Sequence, residues 1–313
     1  MRNVRWLAGA CWLAIVAANG LAAVRHATRE EIRQADQALL SLAFCPDPSG
    51  QAALNAQRAR IVSEQLLGGL PVSAGHPADE FVLIQPDYVI WYDETLRVPL
   101  WVAYRLTSAN LAGPPGRVEA FRPDPRLRPE QRAELSDYAD TGFDRGHMAP
   151  DADFTQSVTA KINTYILSNM CPQHPNFNRK IWQWFEGLVR DWAQKFGSVY
   201  VITGAIFDRD GDGKRDPDAW ADRVGPRGAV ALPTGFYKII VRKDGAAWDA
   251  LAVKLSHKDQ PSNKKDGLRL LTQRITSIDA IEKAAATDFF PELPDEQENR
   301  LEREKPRQLW QTN

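Results

Sequence analysis

The sequence predicts an α+β fold preceded by a helical segment, and three observations support this. Apolar residues follow helical spacing within residues 28–68, where Thr28 and Glu31 form a capping-box pattern at the start. From residue 81 onward, stretches rich in valine, isoleucine, tyrosine and tryptophan alternate with turns, as strands do. Residues 178–196 again repeat apolar side chains at helical spacing. With 313 residues and 43% apolar content, the chain can bury one core of ordinary size.

Residues 1–23 have the layout of a secretory signal peptide. Arg2 and Arg5 precede an apolar run over residues 7–18, and small residues follow. An uncleaved membrane anchor is the alternative, although the run is shorter than the roughly 20 apolar residues of a membrane span. We therefore expect a secreted or periplasmic protein with no stable membrane association after cleavage. In that oxidising setting Cys45 and Cys171 either pair or remain free thiols.

The remaining chain divides into three parts. Residues 24–78 form an N-terminal helical appendage, whose second helical run is followed by the linker-like stretch PVSAGHPADE. Its role stays open between a pro-region, a dimer arm and a scaffold. Residues 79–295 form the main domain, and the charged residues 296–313 form a C-terminal tail that we expect to fray.

Predicted strands lie on both sides of the helix at residues 178–196. The stretches FVLIQPDYVIWYD and PLWVAYRLT precede this helix, and SVYVITGAIF, GFYKIIVRK and AWDALAVKLS follow it. Residues 277–285 predict one more short helix.

An arginine-rich loop follows the first two predicted strands. The net charge of −1 does not indicate a nucleic-acid partner by bulk attraction, so a phosphate-binding surface needs local clustering of cations. The loop is either a solvated surface segment or a phosphate-facing patch. Its arginines are Arg117, Arg122, Arg126, Arg128 and Arg132.

The stretch TGFDRGHMAPDADF contains His147, one of only five histidines in the chain. An imidazole with a pKa near about 6.5 can accept a proton at neutral pH. Gly146 permits a backbone bend, and Arg145 offers a fork of donors suited to phosphate. A base beside a phosphate clamp suggests activation of water against a phosphoester. The alternative for an isolated histidine is a ring held by a local hydrogen bond.

A second stretch, SNMCPQHPNFNRKIWQWFE, supplies oxygen donors. The amide oxygen of Asn178 suits Mg²⁺, which keeps several water molecules and often uses few protein ligands. Glu186 can reach that water shell only if the site lies beside the helix, or it can hold a basic neighbour. Taken alone, Asn178 is equally suited to cap a helix, and Glu186 to lie at the surface.

The two stretches resemble the signatures of the DNA/RNA non-specific endonuclease family, which includes endonuclease G and secreted bacterial nucleases. The first signature is D-R-G-H, an apolar residue or Gln, three variable residues and Ala. It is matched by Asp144, Arg145, Gly146, His147, Met148 and Ala152. The second is S-N-x-x-P-Q followed by N-x-x-x-W-x-x-x-E. It is matched by Ser168, Asn169, Pro172, Gln173, Asn178, Trp182 and Glu186.

The resemblance covers roughly residues 80–295 and implies a fold and a set of catalytic roles. The implied core is a ββα-metal (His-Me finger) nuclease core with a central, mainly antiparallel sheet flanked by helices. His147 would be the general base, and Asn178 would be the one direct protein ligand of Mg²⁺, for which Mn²⁺ can substitute. Glu186 would act through water molecules on that ion, and Asn169 would orient the site.

The resemblance also implies a substrate and a reaction. Arg145 would hold the site or the phosphate, and Arg117 is our candidate for a second phosphate-binding arginine. The implied activity is that of a metal-dependent nonspecific endonuclease, which hydrolyses DNA and RNA to 5′-phosphate ends. A homodimer is a candidate assembly.

The stretch FDRDGDGKRDPDAW is similar to a calcium-binding loop of the EF-hand kind. Its ligand positions are occupied by Asp208, Asp210, Asp212, Lys214 through its carbonyl, and Asp216. Ala219 stands where the bidentate glutamate belongs, and Asp218 is the candidate substitute. We favour a structural Ca²⁺ site, with an acidic solvated turn as the alternative.

Two other functions stay open from the sequence. A nuclease-like domain without chemistry would bind its ligand uncut, but such domains usually lack the histidine or the asparagine present here. A phosphodiesterase acting on small nucleotides would use the same site.

Overall fold

The computed structural model describes residues 24–45, 47–73, 82–114, 116–226 and 228–312. The predicted signal peptide at residues 1–23 and the linker residues 74–81 lie outside this range. The helices are α1 (Arg29–Ala43), α2 (Gln51–Gln65), α3 (Val158–Thr164), α4 (Gln183–Phe196), α5 (Lys264–Gln273), α6 (Ile278–Ala285) and α7 (Asp295–Arg303). No helix in these ranges is long and apolar enough to cross a membrane.

The strands fall into one large sheet and several two-stranded pairs. They are β1 (Val24–His26), β2 (Val72–Ser73), β3 (Val82–Ile84), β4 (Val89–Asp93), β5 (Val98–Thr107), β6 (Arg117–Glu119), β7 (Asp144–His147), β8 (Met170–Gln173), β9 (Ser198–Ile206), β10 (Arg223–Val224), β11 (Val230–Ala231), β12 (Gly235–Asp244), β13 (Ala247–Ser256), β14 (Ile275–Thr276) and β15 (Thr287–Asp288).

The large sheet has the order β14-β13-β12-β9-β5-β4-β3, and every neighbouring pair in it is antiparallel. Its long central strands are almost continuously buried, because helices and loops cover both faces. Helix α4 packs against β9 and β5 and buries Phe185, Val189 and Trp192 in the core. The predicted α+β fold with a mainly antiparallel central sheet is therefore confirmed.

The two predicted N-terminal helices are present as α1 and α2, and they pack against the main domain. Strand β1 pairs in parallel with β6, and Arg122 Nε donates to Asp36 Oδ1 at 2.7 Å. Leu39 of α1 belongs to the main core. Strand β2 likewise pairs with β15 near the other end of the chain. The boundary that we placed at residue 78 stays a prediction.

The expectation of a frayed C-terminal tail is wrong. Leu301 of α7 is only 2% exposed, and Trp192 Nε1 donates to the carbonyl of Trp310 at 3.0 Å. These apolar contacts lie within a run of charged residues, and the composition of that run alone predicts an exposed segment. Cys45 and Cys171 are both free thiols, and Cys171 is buried.

Candidate active site

Strands β7 and β8 form an antiparallel hairpin that pairs Asp144 with Gln173 and His147 with Met170. The chain then enters a π-helical segment, Phe177–Trp182, which continues as α4. Wide π turns of this kind often mark functional sites. A Cβ at Gly146 would overlap the side chain of Gln173. The glycine therefore allows this close approach, rather than the bend that we expected. We call this hairpin and its helix the finger.

The imidazole ring of His147 lies beside two aromatic rings, with centroid distances of 4.8 Å to Tyr165 and 5.9 Å to Phe121. The residue is partly exposed, but its Nε2 is buried and has no hydrogen-bond partner among the described residues. Burial lowers the pKa of His147 to about 4, although the nearby carboxylate of Asp151 opposes this. The ring is therefore neutral near pH 7 and can accept a proton.

Two arginines near His147 influence its pKa. The guanidinium of Arg145 lies 3.9 Å from the centroid of the Phe121 ring, and Arg117 Nε donates to the hydroxyl of Tyr165 at 3.1 Å. Both positive charges lower the pKa of His147 further. The structure thus brings both predicted phosphate-binding arginines into the neighbourhood of the predicted base.

The other arginines of the loop have structural contacts, so the loop as a whole is not a phosphate-facing patch. Arg122 donates to the carbonyls of Ala120 and Ile162, and Arg126 forms a buried ion pair with Asp124 at 2.6 Å. Arg132 Nη1 donates to the carbonyls of Asp124 and Leu127, and Arg128 forms an exposed pair with Glu130.

Asp144 fixes the side chain of Asn178. Asn178 Nδ2 donates to Asp144 Oδ2 at 2.9 Å, and Arg179 donates to both oxygens of the same carboxylate at 2.9 and 2.7 Å. Because its amide nitrogen is engaged, Asn178 has its oxygen left as a ligand atom. Trp182 Nε1 also donates to the carbonyl of His147 at 3.3 Å, which ties the helix to β7. We had predicted no role for Asp144 or Arg179 from the sequence.

Asn169 is fully buried and holds the backbone that follows His147. Its Nδ2 donates to the carbonyls of Ala149 and Thr164 at 2.9 and 2.8 Å, and its Oδ1 accepts from the amide of Ala149 at 2.9 Å. The amide of Asn169 is thus engaged with backbone groups on both its nitrogen and its oxygen, and its orienting role stays a prediction.

Glu186, in the first turn of α4, is buried among other charged groups. Burial raises its pKa to about 7, while the charges of Lys238 and Arg190 lower it. Lys238 Nζ donates to Thr203 at 2.7 Å, and Arg190 Nη1 lies 2.8 Å from Asp153 Oδ1. Among the roles that we considered for Glu186, the structure favours contact with basic neighbours over a surface position or a role at the metal's water shell. Those neighbours lie far away in sequence, and no motif indicated them.

The predicted calcium loop brings three carboxylates together, with oxygen atoms within 4.8 Å of one another: Asp208, Asp210 and Asp212. One oxygen of Asp216 accepts a hydrogen bond from the amide of Arg209. Asp218, the candidate substitute ligand, accepts from Arg215 at 2.7 Å. The Lys214 ammonium lies 3.0 Å from Asp212 Oδ2. Only part of the predicted ligand set therefore converges.

A cavity of 670 Å³ borders the finger, with Phe143, His174 and His257 on its wall. His257 Nε2 accepts from the backbone amide of His174 at 2.7 Å, so its Nδ1 carries the proton and donates to the carbonyl of Pro233 at 3.0 Å. The backbone amide of Asn178 in turn donates to the carbonyl of His174. His257 therefore helps to hold the turn that delivers Asn178, a contact that no sequence pattern indicated.

Comparisons with known proteins agree with this geometry. Residues 70–296 match the family model of the DNA/RNA non-specific endonucleases. A nuclease of Syncephalastrum racemosum is 35% identical over 249 residues, which cover 76% of this chain and 75% of the relative. Human mitochondrial endonuclease G is 32% identical over 209 residues, which cover 66% of this chain and 68% of the relative.

A solved structure, that of the EndoG/EndoGI complex, has a chain that superposes with a TM-score of 0.61 at 26% identity. The match covers 81% of the present chain and 96% of that chain. This similarity extends the family resemblance from the motifs to the whole fold.

The relatives correct the expected location. Human endonuclease G and relatives from Danio rerio and Saccharomyces cerevisiae are named as mitochondrial nucleases. These names contradict the secreted or periplasmic location that we predicted, and that prediction is wrong.

The comparisons also favour an enzyme over a domain that only binds. The family model spans most of the chain, and the matching relatives are named nucleases. The chain belongs to the DNA/RNA non-specific endonuclease family and is a metal-dependent nonspecific endonuclease.

Proposed function

We propose that this nuclease hydrolyses phosphodiester bonds of both DNA and RNA to 5′-phosphate ends, with His147 as the general base and Asn178 as the ligand of a hydrated Mg²⁺ ion. The main support is the state of His147, whose neutral imidazole lies beside two arginines and whose buried Nε2 has no hydrogen-bond partner among the described residues. A structural histidine would have its ring nitrogens satisfied by hydrogen bonds.

The residues present fit a hard cation. The amide oxygen of Asn178 is of the ligand type that Mg²⁺ and Mn²⁺ prefer, and Asp144 fixes the amide so that this oxygen stays available. When bound, the ion would stabilise negative charge on the phosphate and on the leaving 3′-oxygen. Glu186 is buried beside Lys238 and Arg190, so we assign it to holding these basic side chains rather than to the water shell of the ion.

Side chains of the protein carry out proton transfer and phosphate binding. His147 takes a proton from the attacking water, and the arriving phosphate charge raises its low pKa toward the working range. Arg145 and Arg117 donate to the phosphate oxygens and balance their charge. Asn169 keeps the backbone after His147 in place through its bonds to Ala149.

Plasmid cleavage by His147→Ala tests the assignment of the base. We expect a loss of about 10²- to 10⁴-fold in rate with Mg²⁺, the usual contribution of a general base. His26→Ala is the matched control, because its side chain is 86% exposed and should leave the rate unchanged. EDTA should stop the wild type. Unchanged cleavage by His147→Ala, with a normal melting temperature, would refute the proposal.

We also propose that the loop around Asp208 binds Ca²⁺ as a structural ion, because three of its carboxylates already converge. An Asp210→Asn, Asp212→Asn variant should lose calcium-dependent stabilisation but still cleave plasmid with Mg²⁺. The homodimer remains a prediction that sedimentation can test.

A further inference from the structure

A second group of carboxylates lies where the C-terminal helix meets the body of the protein. Helices α6 and α7 and strand β15 contribute two sets of three carboxylates, and within each set the oxygen atoms lie within 4.8 Å of one another. The sets are Asp279, Glu282 and Glu302, and Asp288, Glu298 and Glu302. Glu302 is common to both. We call these five residues the carboxylate cluster.

Glu302 is the buried centre of this cluster. The residue is only 8% exposed, and its Oε1 has no hydrogen-bond partner among the described residues. The next residue in the chain toward the N-terminus, Leu301, is 2% exposed and fixes this turn of α7 against the core. A buried carboxylate oxygen without a partner is costly, so the arrangement calls for a proton or a cation at this position.

The carboxyl groups of Glu282 and Glu302 share a hydrogen bond, but no basic side chain among the described residues neutralises the cluster. No ion pair joins the five carboxylates to a lysine or arginine in the described part of the chain. The charged groups that act most strongly on Glu302 are Glu282, Glu298 and Asp279, all of them acidic. Burial, followed by Glu282, raises the pKa of Glu302 to about 8, and burial also raises the pKa of Glu282 and of Glu298.

We propose that the carboxylate cluster is a binding site for a hard divalent cation of the calcium class, centred on Glu302. Ca²⁺ takes six to eight oxygen ligands at about 2.3–2.6 Å in flexible geometry, so oxygens on opposite sides of it lie about 5 Å apart. The spacing of up to 4.8 Å matches that requirement. The clustered side chains are all carboxylates, which disfavours zinc and other soft ions.

Such an ion would join α6, β15 and α7, and it would thereby hold the C-terminal segment on the body of the protein. The proposal is independent of the catalytic assignment, because none of these residues belongs to the finger. It is also independent of the loop around Asp208, which contributes no residue to either set.

Thermal unfolding of the full chain with added CaCl₂ tests the site. The measurement uses the Asp210→Asn, Asp212→Asn variant, so that the loop around Asp208 does not respond. We expect the melting temperature to rise by about 5 °C at a hundredfold excess of Ca²⁺ over its Kd. Adding Glu302→Gln should abolish this rise, because the change removes the residue that both sets share.

Two controls keep the test decisive. Glu296→Gln changes an exposed carboxylate on the same helix and should leave the calcium response intact. Without calcium, Glu302→Gln should melt no lower than its parent, since it removes a buried carboxyl group whose strongest charged neighbours are acidic, and this shows that the variant folds. Equal calcium responses with and without Glu302 would overturn the proposal. So would a protein with no calcium response in which stability follows pH alone, because the cluster would then hold a shared proton.

Discussion

The finger and the carboxylate cluster both bury ionisable groups, but they compensate them differently. In the finger, Asp144 accepts hydrogen bonds from Arg179 and from Asn178, so its charge is balanced inside the fold. In the carboxylate cluster, the strongest charged neighbours of Glu302 are other acids. The difference lies in where each region obtains the positive charge that neutralises its carboxylates. Internal pairing can hold a catalytic side chain in place, whereas an uncompensated cluster depends on a partner from solution.

The largest effect is expected from loss of the contact between Asp144 and Asn178. Asp144→Asn keeps the size of the side chain but removes the charge that Asn178 and Arg179 share. We expect the Mg²⁺ concentration for half-maximal plasmid cleavage to rise about 10- to 100-fold, the usual cost of losing an orienting partner. Arg179→Ala keeps the bond between Asp144 and Asn178 and should have a smaller effect. An unchanged Mg²⁺ requirement in Asp144→Asn would disprove the clamp.

Two arginines of the loop differ in their proposed partners: Arg117 would contact the phosphate of the substrate, whereas Arg128 pairs with Glu130 of the protein. Arg117→Ala should lower kcat/KM by about 10-fold, because a charge-assisted hydrogen bond to phosphate is lost. Arg128→Ala is the control, since its guanidinium is exposed and pairs with Glu130 at 3.1 Å. Equal losses in steady-state cleavage of a short duplex by both variants would remove the special role of Arg117.

Asn169 tests how far the finger depends on buried hydrogen bonds. Asn169→Ala leaves backbone groups of Ala149 and Thr164 unpaired in the interior. We expect the free energy of unfolding to fall by about 2–4 kcal/mol. Asn55→Ala, at an exposed position on α2, is the matched control and should change it by less than about 0.5 kcal/mol. Chemical denaturation compares the two, and similar values would show that Asn169 does not support the finger.

The two regions should also have opposite pH dependence of stability in metal-free buffer. Burial lowers the pKa of His147 from 6.5 to about 4, so the unfolded chain binds more protons in that window and stability falls as the pH drops through it. Burial raises the pKa of Glu302 from 4.5 to about 8, so the folded chain binds more protons and stability falls as the pH rises through that window.

Variants separate these two slopes. In denaturation series from pH 4.5 to pH 8, His147→Asn should flatten the acid side and Glu302→Gln the alkaline side, with His26→Asn as the exposed control. The same dependence of stability on pH in all three variants would show that His147 and Glu302 do not cause the two slopes.

The finger could be predicted from sequence, whereas the carboxylate cluster could not. His147 and Asn178 lie in two short stretches that match the family signatures, and the periodic pattern placed Asn178 at the start of a helix. The hairpin that carries His147 was implied only by the resemblance. The partners of these site residues are harder to predict, because they lie far away in the sequence. Lys238 acts on Glu186 from strand β12, and the two come together because α4 packs against that strand. Glu302 sits in the run DEQENRLERE, whose composition is typical of an exposed tail.

Mn²⁺ binding by His147→Ala and by Asn178→Ala, measured beside plasmid cleavage, separates the roles of the base and the metal ligand. We expect His147→Ala to keep the full number of Mn²⁺ ions and to lose cleavage. Asn178→Ala should bind one ion fewer than the wild type and also lose cleavage. Undiminished Mn²⁺ binding by Asn178→Ala would show that Asn178 is not the metal ligand, and wild-type cleavage by His147→Ala would show that His147 is not the base.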